Sequence, residues 1–462
     1  MSCHPRIALR IPEIVLIWFG FCATHALPMQ PAQAAEPSLC VGWAATDISP
    51  PKPVSIIGFH GKRLSAGQRD PLRATALALE VRSEGKSAEQ AIIISCDLLW
   101  IRRATQEAVR ETLSKQLPDF DIEKLILNAT HTHQGPATET GAYAVWDVTP
   151  QERTNGMMTG DEYRQFLVQR LTEAAVAAWK GRKPGALSWA LDQAVVGFNR
   201  RFVYSDGTAK MLGPVDTPEF DCIEGVEDHG LLLLYFWDAA EKLTGVVVNV
   251  ASPAQADQGG NLISADFWHD VREELAARHG PAVFVLPQCG AAGDIYPQGR
   301  FRHRAEGLMA QRKGISWRRE IARRIADGVD RALPAARAHI DTKPVFRHSV
   351  ARFDLPTVGP SLAPFYTCDP VTPAEIHALR LGDVALVTAP FELFTDYGIR
   401  IQARSKAVAT FVVQLACQHS GYLPTARAIR GGGYSADRYL VGPEGGRVFV
   451  DRCVACINAL WP

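Results

Sequence analysis

At 462 residues, with 47% hydrophobic and 21% charged side chains, the chain can bury a large core. Its 49 lysines and arginines balance 49 aspartates and glutamates. That excludes the basic footprint of a nucleic-acid binder or of a protein held on an anionic membrane surface.

Residues 1–34 read as an export signal. Arg6 and Arg10 form the positive start, Ile14 to Phe21 the apolar run, and Ala32-Gln33-Ala34 a small-x-small cleavage site before Ala35. The run is too short to span a bilayer, and no later stretch reaches the roughly 18 apolar residues that a spanning helix needs. The expected product is residues 35–462, exported to a periplasmic or extracellular space and without a transmembrane segment. Eight of the ten cysteines lie in that product, where disulfides are permitted. One or two bridges are expected, with Cys453 or Cys456 in one of them.

Cys40 to Ile48 alternates like a strand and stops at Ser49-Pro50-Pro51. Gly58-Phe59-His60-Gly61 is a tight loop. Ala74 to Val81 and Ala91 to Trp100 are strands, the second apolar enough to be buried on both faces. Arg102 to Leu117 has helical spacing, and Leu125 to Asn128 is expected to be a central strand. Asp161 to Trp179 is an amphipathic helix with Phe166, Leu167, Leu171, Ala174, Ala175 and Ala178 on one face. Leu231 to Trp237 and Leu243 to Val250 form a strand pair. Ala265 to Arg278 is helical, with Ser264 or Asp266 suited to cap it, and Ala282 to Pro287 is a short strand. The basic stretch Arg300 to Lys313 is expected to be a solvated loop, and Ser316 to cap a helix reaching Leu333. Strands recur at Val345 to Leu355, Val384 to Thr388 and Thr410 to Leu415. Strands and helices mix throughout with no repeat and no low-complexity linker. The fold class is therefore α/β, with mixed β-sheets flanked by helices in one large domain.

The chemistry centres on Leu125 to Pro136, L-I-L-N-A-T-H-T-H-Q-G-P. A buried strand ends in a polar loop there, a common place for function in α/β proteins. His131 and His133 are two residues apart, so on an extended backbone both imidazoles leave on one side. Such a pair can bind one metal, or one can bind while the other moves a proton. Further polar groups interrupt apolar segments: Arg200 in Phe198-Asn199-Arg200-Arg201, Asp266 after Ser264, Asp294 after a Gly/Ala-rich turn, Glu392 in Pro390-Phe391-Glu392-Leu393-Phe394, and Tyr422 and Tyr434 beside glycines. A buried carboxylate such as Glu392 is costly unless paired, protonated or on a metal. Together these groups suit a hydrolytic metal site.

The order T-D-I, D-L-L, N-A-T-H-T-H-Q-G-P, F-N-R, N-L-I-S-A-D, A-A-G-D-x-x-P, P-F-E-L-F, S-G-Y and G-G-Y resembles the neutral/alkaline (non-lysosomal) ceramidase family. The resemblance covers most of Val41 to about Gly446 and implies the family's catalytic domain, without its C-terminal immunoglobulin-like domain. It implies a zinc-dependent amidase acting on a small-molecule or lipid-like substrate, in the manner of sphingolipid metabolism. By position, His131, Glu392 and Tyr422 correspond to zinc ligands. His133, Arg200 and Tyr434 correspond to catalytic residues. Asp266, Asp294 and Tyr296 fall in motifs beside the substrate.

Two positions depart from the family pattern. The second zinc histidine falls on Ser252 and the active-site serine on Tyr296. Asp257, His60 and His269 are nearby candidates to fill the ligand gap, and Tyr296 is expected to narrow the pocket against long-chain ceramide. Two alternatives compete with the hydrolase. One is a catalytically degraded relative that binds a lipid or glycan. The other is a TIM-barrel amidohydrolase, which would carry its H-x-H on the first strand, whereas several strands precede it here.

Overall fold

Strand periodicity explains how the layers form. In Lys86–Cys96, Ile92 and Ile94 face one side and Ile93 the other, and all three are buried. A strand buried on both faces must lie inside a stack of layers. The computed structural model describes residues 38–83, 86–359 and 366–462, so the expected signal and its cleavage site lie outside the described residues. Glu36–Pro462 falls into one compact unit.

Eight strands make the larger sheet: β1 (Ser38–Asp47), β2 (Arg73–Ser83), β3 (Lys86–Cys96), β4 (Leu125–Ala129), β5 (Lys183–Gln193), β6 (Gly230–Asp238), β7 (Leu243–Val250) and β8 (Phe284–Cys289). Their spatial order is β8-β7-β6-β5-β1-β2-β3-β4. The pairs β3–β4 and β7–β8 are parallel and the others antiparallel. A second sheet holds β9 (Phe346–Phe353), β10 (Ala374–Leu381), β11 (Val384–Thr388) and β12 (Ala409–Val413) in that order, with β11–β12 parallel.

Leu39, Leu77, Leu79, Ile93, Leu234 and Val247 of the first sheet meet Phe346, Leu379, Leu386 and Phe411 of the second. The outer face of the first sheet packs on α1 (Arg103–Ser114) and α2 (Gly160–Lys180) at one end, and on α3 (Phe267–His279) and α5 (Trp317–Arg337) at the other. The outer face of the second sheet packs on α6 (Thr395–Arg404) and α7 (Pro443–Asn458). The result is four layers, helix-sheet-sheet-helix. Local signals agree with it. Thr159 and Glu162 form a capping box on α2, and the Ser316 hydroxyl accepts from the Arg319 N–H at 3.2 Å.

Three expectations need correction. β4 is the edge strand of its sheet rather than a central one. All five of its residues are buried because residues 415–417 cover the edge, with Cys417 N–H donating to Leu127 O at 2.9 Å. Leu415 and Cys417 reach that register with φ of 55° and 64°, so no regular strand pattern marks the covering segment. Arg300 to Lys313 contains a helix, α4 (His303–Arg312), which buries only Ala310 and so carries no amphipathic signal. The eight cysteines of the described residues are all unbridged thiols. Cys453 is buried on α7, where it packs in the helix–sheet core. Among the described residues, no helix is long and apolar enough to cross a membrane.

Candidate active site

The site forms where the parallel strands end. His131 and His133 follow β4, Gln255 follows β7, Glu392 follows β11, and Tyr422 follows β12. Chain ends splay apart at such points and leave a crevice. Glu392 and Tyr422 are then locked side by side by a two-residue parallel ladder, with Glu392 N–H donating to Gly421 O at 2.9 Å.

The two histidines do converge, but not by strand alternation. His131 has φ of 65°, a left-handed conformation that costs a non-glycine residue about 1–2 kcal/mol. This turn brings the two rings to 88° with centroids 4.9 Å apart and their Nε2 atoms 3.5 Å apart. Non-glycine residues in this region often mark functional sites.

His131 Nδ1 lies 2.7 Å from Leu99 O. A carbonyl only accepts, so the proton is on Nδ1 and the Nε2 lone pair is bare. That lone pair faces Glu392 Oε2 at 3.3 Å in a buried setting. Two acceptors held this way call for a cation between them. Two donors on one tetrahedral zinc, each about 2.0–2.1 Å from it, would stand about 3.3 Å apart. The Nε2–Oε2 separation agrees with that spacing, so His131 and Glu392, with Tyr422 beside Glu392 in the ladder, fit a metal. The carbonyl behind His131 is the usual means of orienting a ligating imidazole.

His133 differs. Gln255 Nε2 donates to its Nε2 at 2.6 Å, which places the imidazole proton on Nδ1, and among the described residues that Nδ1 is buried without a hydrogen-bond partner. Burial, reinforced by the neighbouring His131, drives its pKa well below the ordinary histidine value, so the imidazole is neutral. Burial pushes the Glu392 carboxyl up, but a positive partner at His131, together with His419, outweighs it and holds the group well below the usual carboxylate range; with His131 Nε2 unprotonated, a metal cation would take that place.

Arg200 donates from Nη2 to Gly293 O at 2.9 Å and to the Tyr422 hydroxyl at 3.1 Å, while its buried Nε has no partner among the described residues. The Tyr422 and Tyr434 hydroxyls are 3.5 Å apart, and burial raises both phenols, so both stay protonated. Arg201, next along the chain, serves a structural purpose. Fully buried, it donates twice to Glu224 and also to the Tyr434, Ala428 and Gly432 carbonyls.

His131, His133, Arg200, Glu392, Tyr422, Tyr434 and Tyr296 all line one cavity of about 140 Å³. Asp266 and Asp294, expected to touch substrate, lie outside its lining. Asp266 instead caps α3 and accepts from the N–H groups of Ala256, Asp257 and Phe267, which shapes the loop carrying Gln255. Asp294 accepts from Thr395 and Asn199. Of the candidates for the missing ligand, only His60 reaches the cavity, edge-on to Tyr434. Asp257 pairs with Arg69, and His269 lies in a separate cleft. Ser252 points away and donates to Val196 O at 2.8 Å.

Sequence reasoning missed three residues here. His419 is fully buried, with Nε2 3.5 Å from Glu392 Oε1 and its ring stacked 4.3 Å from Trp100. Its place three residues before Tyr422 was the available signal. Gln255 and Gln258 follow β7 just as His131 follows β4, and Gln258 donates to the Tyr296 hydroxyl at 2.9 Å.

A second group of metal-type donors lies elsewhere. Glu375, His377 and Cys417 are buried with one donor atom each within 4.8 Å of the others. Its carboxylate is already engaged by Arg110 at 2.6 Å and by Arg352, two cations that oppose a metal ion beside them.

No family model and no curated protein matches the chain. Solved structures do. The crystal structure of neutral ceramidase from Pseudomonas aeruginosa aligns with a TM-score of 0.69 at 16% identity, over 92% of this chain and 74% of that one. A structure described as ceramidase complexed with C2 aligns with a TM-score of 0.68 at 17% identity, over 92% and 75%. The chain therefore has a neutral ceramidase-like fold, and the barrel alternative is set aside.

Proposed function

We propose that this chain, which has a neutral ceramidase-like fold, is an exported metal-dependent hydrolase of an amide or related acyl bond. One observation carries the reading: the bare His131 Nε2 faces the Glu392 carboxylate at 3.3 Å inside a buried cavity, an arrangement that asks for a cation. His131, Glu392 and Tyr422 would hold zinc. When bound, zinc would polarise the scissile carbonyl and make water a competent nucleophile near neutral pH.

The chain's own residues supply the rest. His133, neutral and oriented by Gln255, takes a proton on Nε2 from the attacking water as the C–O bond forms. It returns that proton to the leaving nitrogen as the C–N bond breaks. The unpartnered Arg200 Nε and the protonated Tyr434 hydroxyl donate to the oxygen that gains negative charge. Leu99 O and the left-handed backbone at His131 keep the ligand ring fixed throughout.

A second reading, a binder that does not cleave, draws on Ser252, which offers no ligand where the family pattern has one. The discriminating experiment is release of amine from N-acyl amides, before and after dialysis against chelator and after zinc is restored. Turnover lost on chelation and recovered with zinc supports the hydrolase. A zinc-loaded protein inert toward every N-acyl amide supports the binder.

A further inference from the structure

The cavity has two unlike sides. Trp100 is the hub of an aromatic wall, with the Tyr366 ring 5.7 Å away at 26° and the Trp146 ring 5.9 Å away at 49°. The Trp146 indole is pinned by donation to Phe59 O at 2.7 Å, so the wall is preset. The other side is polar. Gln255 contacts His133, and Gln258 links Gln255 to the Tyr296 hydroxyl. Two carboxamides and a phenol therefore face the same space as the indoles.

From this we infer that the site takes an amide whose acyl part is a single flat ring and whose amine part is small and polar, rather than a long-chain acyl amide. The inference rests on the hydrolase reading above and deepens it. The cavity measures about 140 Å³, close to the engineered cavity of about 150 Å³ that holds one benzene molecule. A long alkyl chain has to leave such a space for solvent and forfeits its burial. Three aromatic rings in contact offer faces and edges that match another ring and gain little from a flexible chain. The buried, unpartnered Arg200 Nε, with Gln258 and Tyr296, offers donors to the carbonyl oxygen or to a polar amine. Hydrolysis adds water across the bond to give the ring carboxylic acid and the free amine.

The test uses the zinc-loaded protein and four probes: N-acetylglycine, N-benzoylglycine, N-octanoylglycine and N-hexadecanoylglycine. Released glycine is measured, and benzoate and octanoate binding is followed separately by tryptophan fluorescence. N-benzoylglycine is expected to have a kcat/KM about tenfold or more above the other three, and benzoate to bind more tightly than octanoate. Trp146→Ala and Tyr296→Ser both enlarge the cavity, so whichever folds should shift the preference toward octanoyl. Octanoyl or hexadecanoyl turnover equal to or above benzoyl overturns the inference and leaves the hydrolase standing. Benzoate binding without any hydrolysis supports the ring pocket while the hydrolase reading falls. Neither hydrolysis nor benzoate binding overturns the inference.

Discussion

Replacing Glu224 with glutamine tests whether the loop carrying Tyr434 is held by one buried ion pair. Arg201 is fully buried and makes two bonds to Glu224, at 2.7 and 3.0 Å, and three to backbone carbonyls of residues 428, 432 and 434. Glutamine keeps the shape but removes the charge and one acceptor, which leaves a guanidinium uncompensated in the interior. Breaking a buried pair this way costs about 3–5 kcal/mol, and retention of one acceptor oxygen places the change near 3 kcal/mol. With a urea slope of about 3 kcal/mol/M or more for a chain this size, the midpoint should fall by up to about 1 M. Tyr434 should drift as its carbonyl anchor loosens, and a shift of about 1 Å at a catalytic group costs roughly 100-fold in rate. Urea unfolding at neutral pH, followed by an amidase assay on the folded variant, reads both effects. Wild-type stability together with wild-type turnover would refute the reasoning.

Three further outcomes are expected. A Cβ at Gly58 would lie 2.7 Å from His133 Nδ1, where φ is +104°. Gly58→Ala should therefore cost about 1–3 kcal/mol in stability and displace His133, and unchanged kcat would count against the shuttle role. Burial, with His377, Lys124 and Arg110 nearby, holds His348 well below the ordinary histidine pKa. The unfolded chain thus takes up a proton below about pH 6.5 that the folded chain refuses, and stability present above that pH is lost as it falls. By pH 5.5 this amounts to about 1.4 kcal/mol, and His348→Gln should reduce the stability lost between pH 7.5 and 5.5 by about that share in urea titrations, the remainder coming from other buried histidines such as His133. The export proposal expects N-terminal sequencing of the secreted protein to start at or near Ala35, and full-length protein confined to the cytosol would contradict it.

What the sequence made legible, and what it hid, follows from the range of the interactions involved. Ile92-Ile93-Ile94 announces a strand buried on both faces because alternation is local, and the caps of α2 and α5 are read from residues three apart. The donors His131, His133, Arg200, Glu392, Tyr422 and Tyr434 stood out because polar groups at the ends of apolar segments are costly unless used. Placement in space was less accessible. β4 reads as central because burial looks the same whether a strand or an irregular segment covers it, and residues 415–417 do so through left-handed backbone. His131 presents its ring through a positive φ that no spacing rule contains. His419 and Gln255 lack a motif of their own and join the site only through tertiary contact. The chain resists disulfide reading for the same reason, since Cys453 is spent on core packing.

Metal content measures the central proposal most directly. Protein purified without chelator or a nickel tag should contain one zinc per chain by elemental analysis. Glu392→Ala should lose it, since the carboxylate facing His131 Nε2 supplies the ionised donor of the set. His133→Ala should keep zinc and lose turnover. Wild-type protein without metal, or Glu392→Ala retaining zinc at full occupancy, would contradict a centre built on His131 and Glu392.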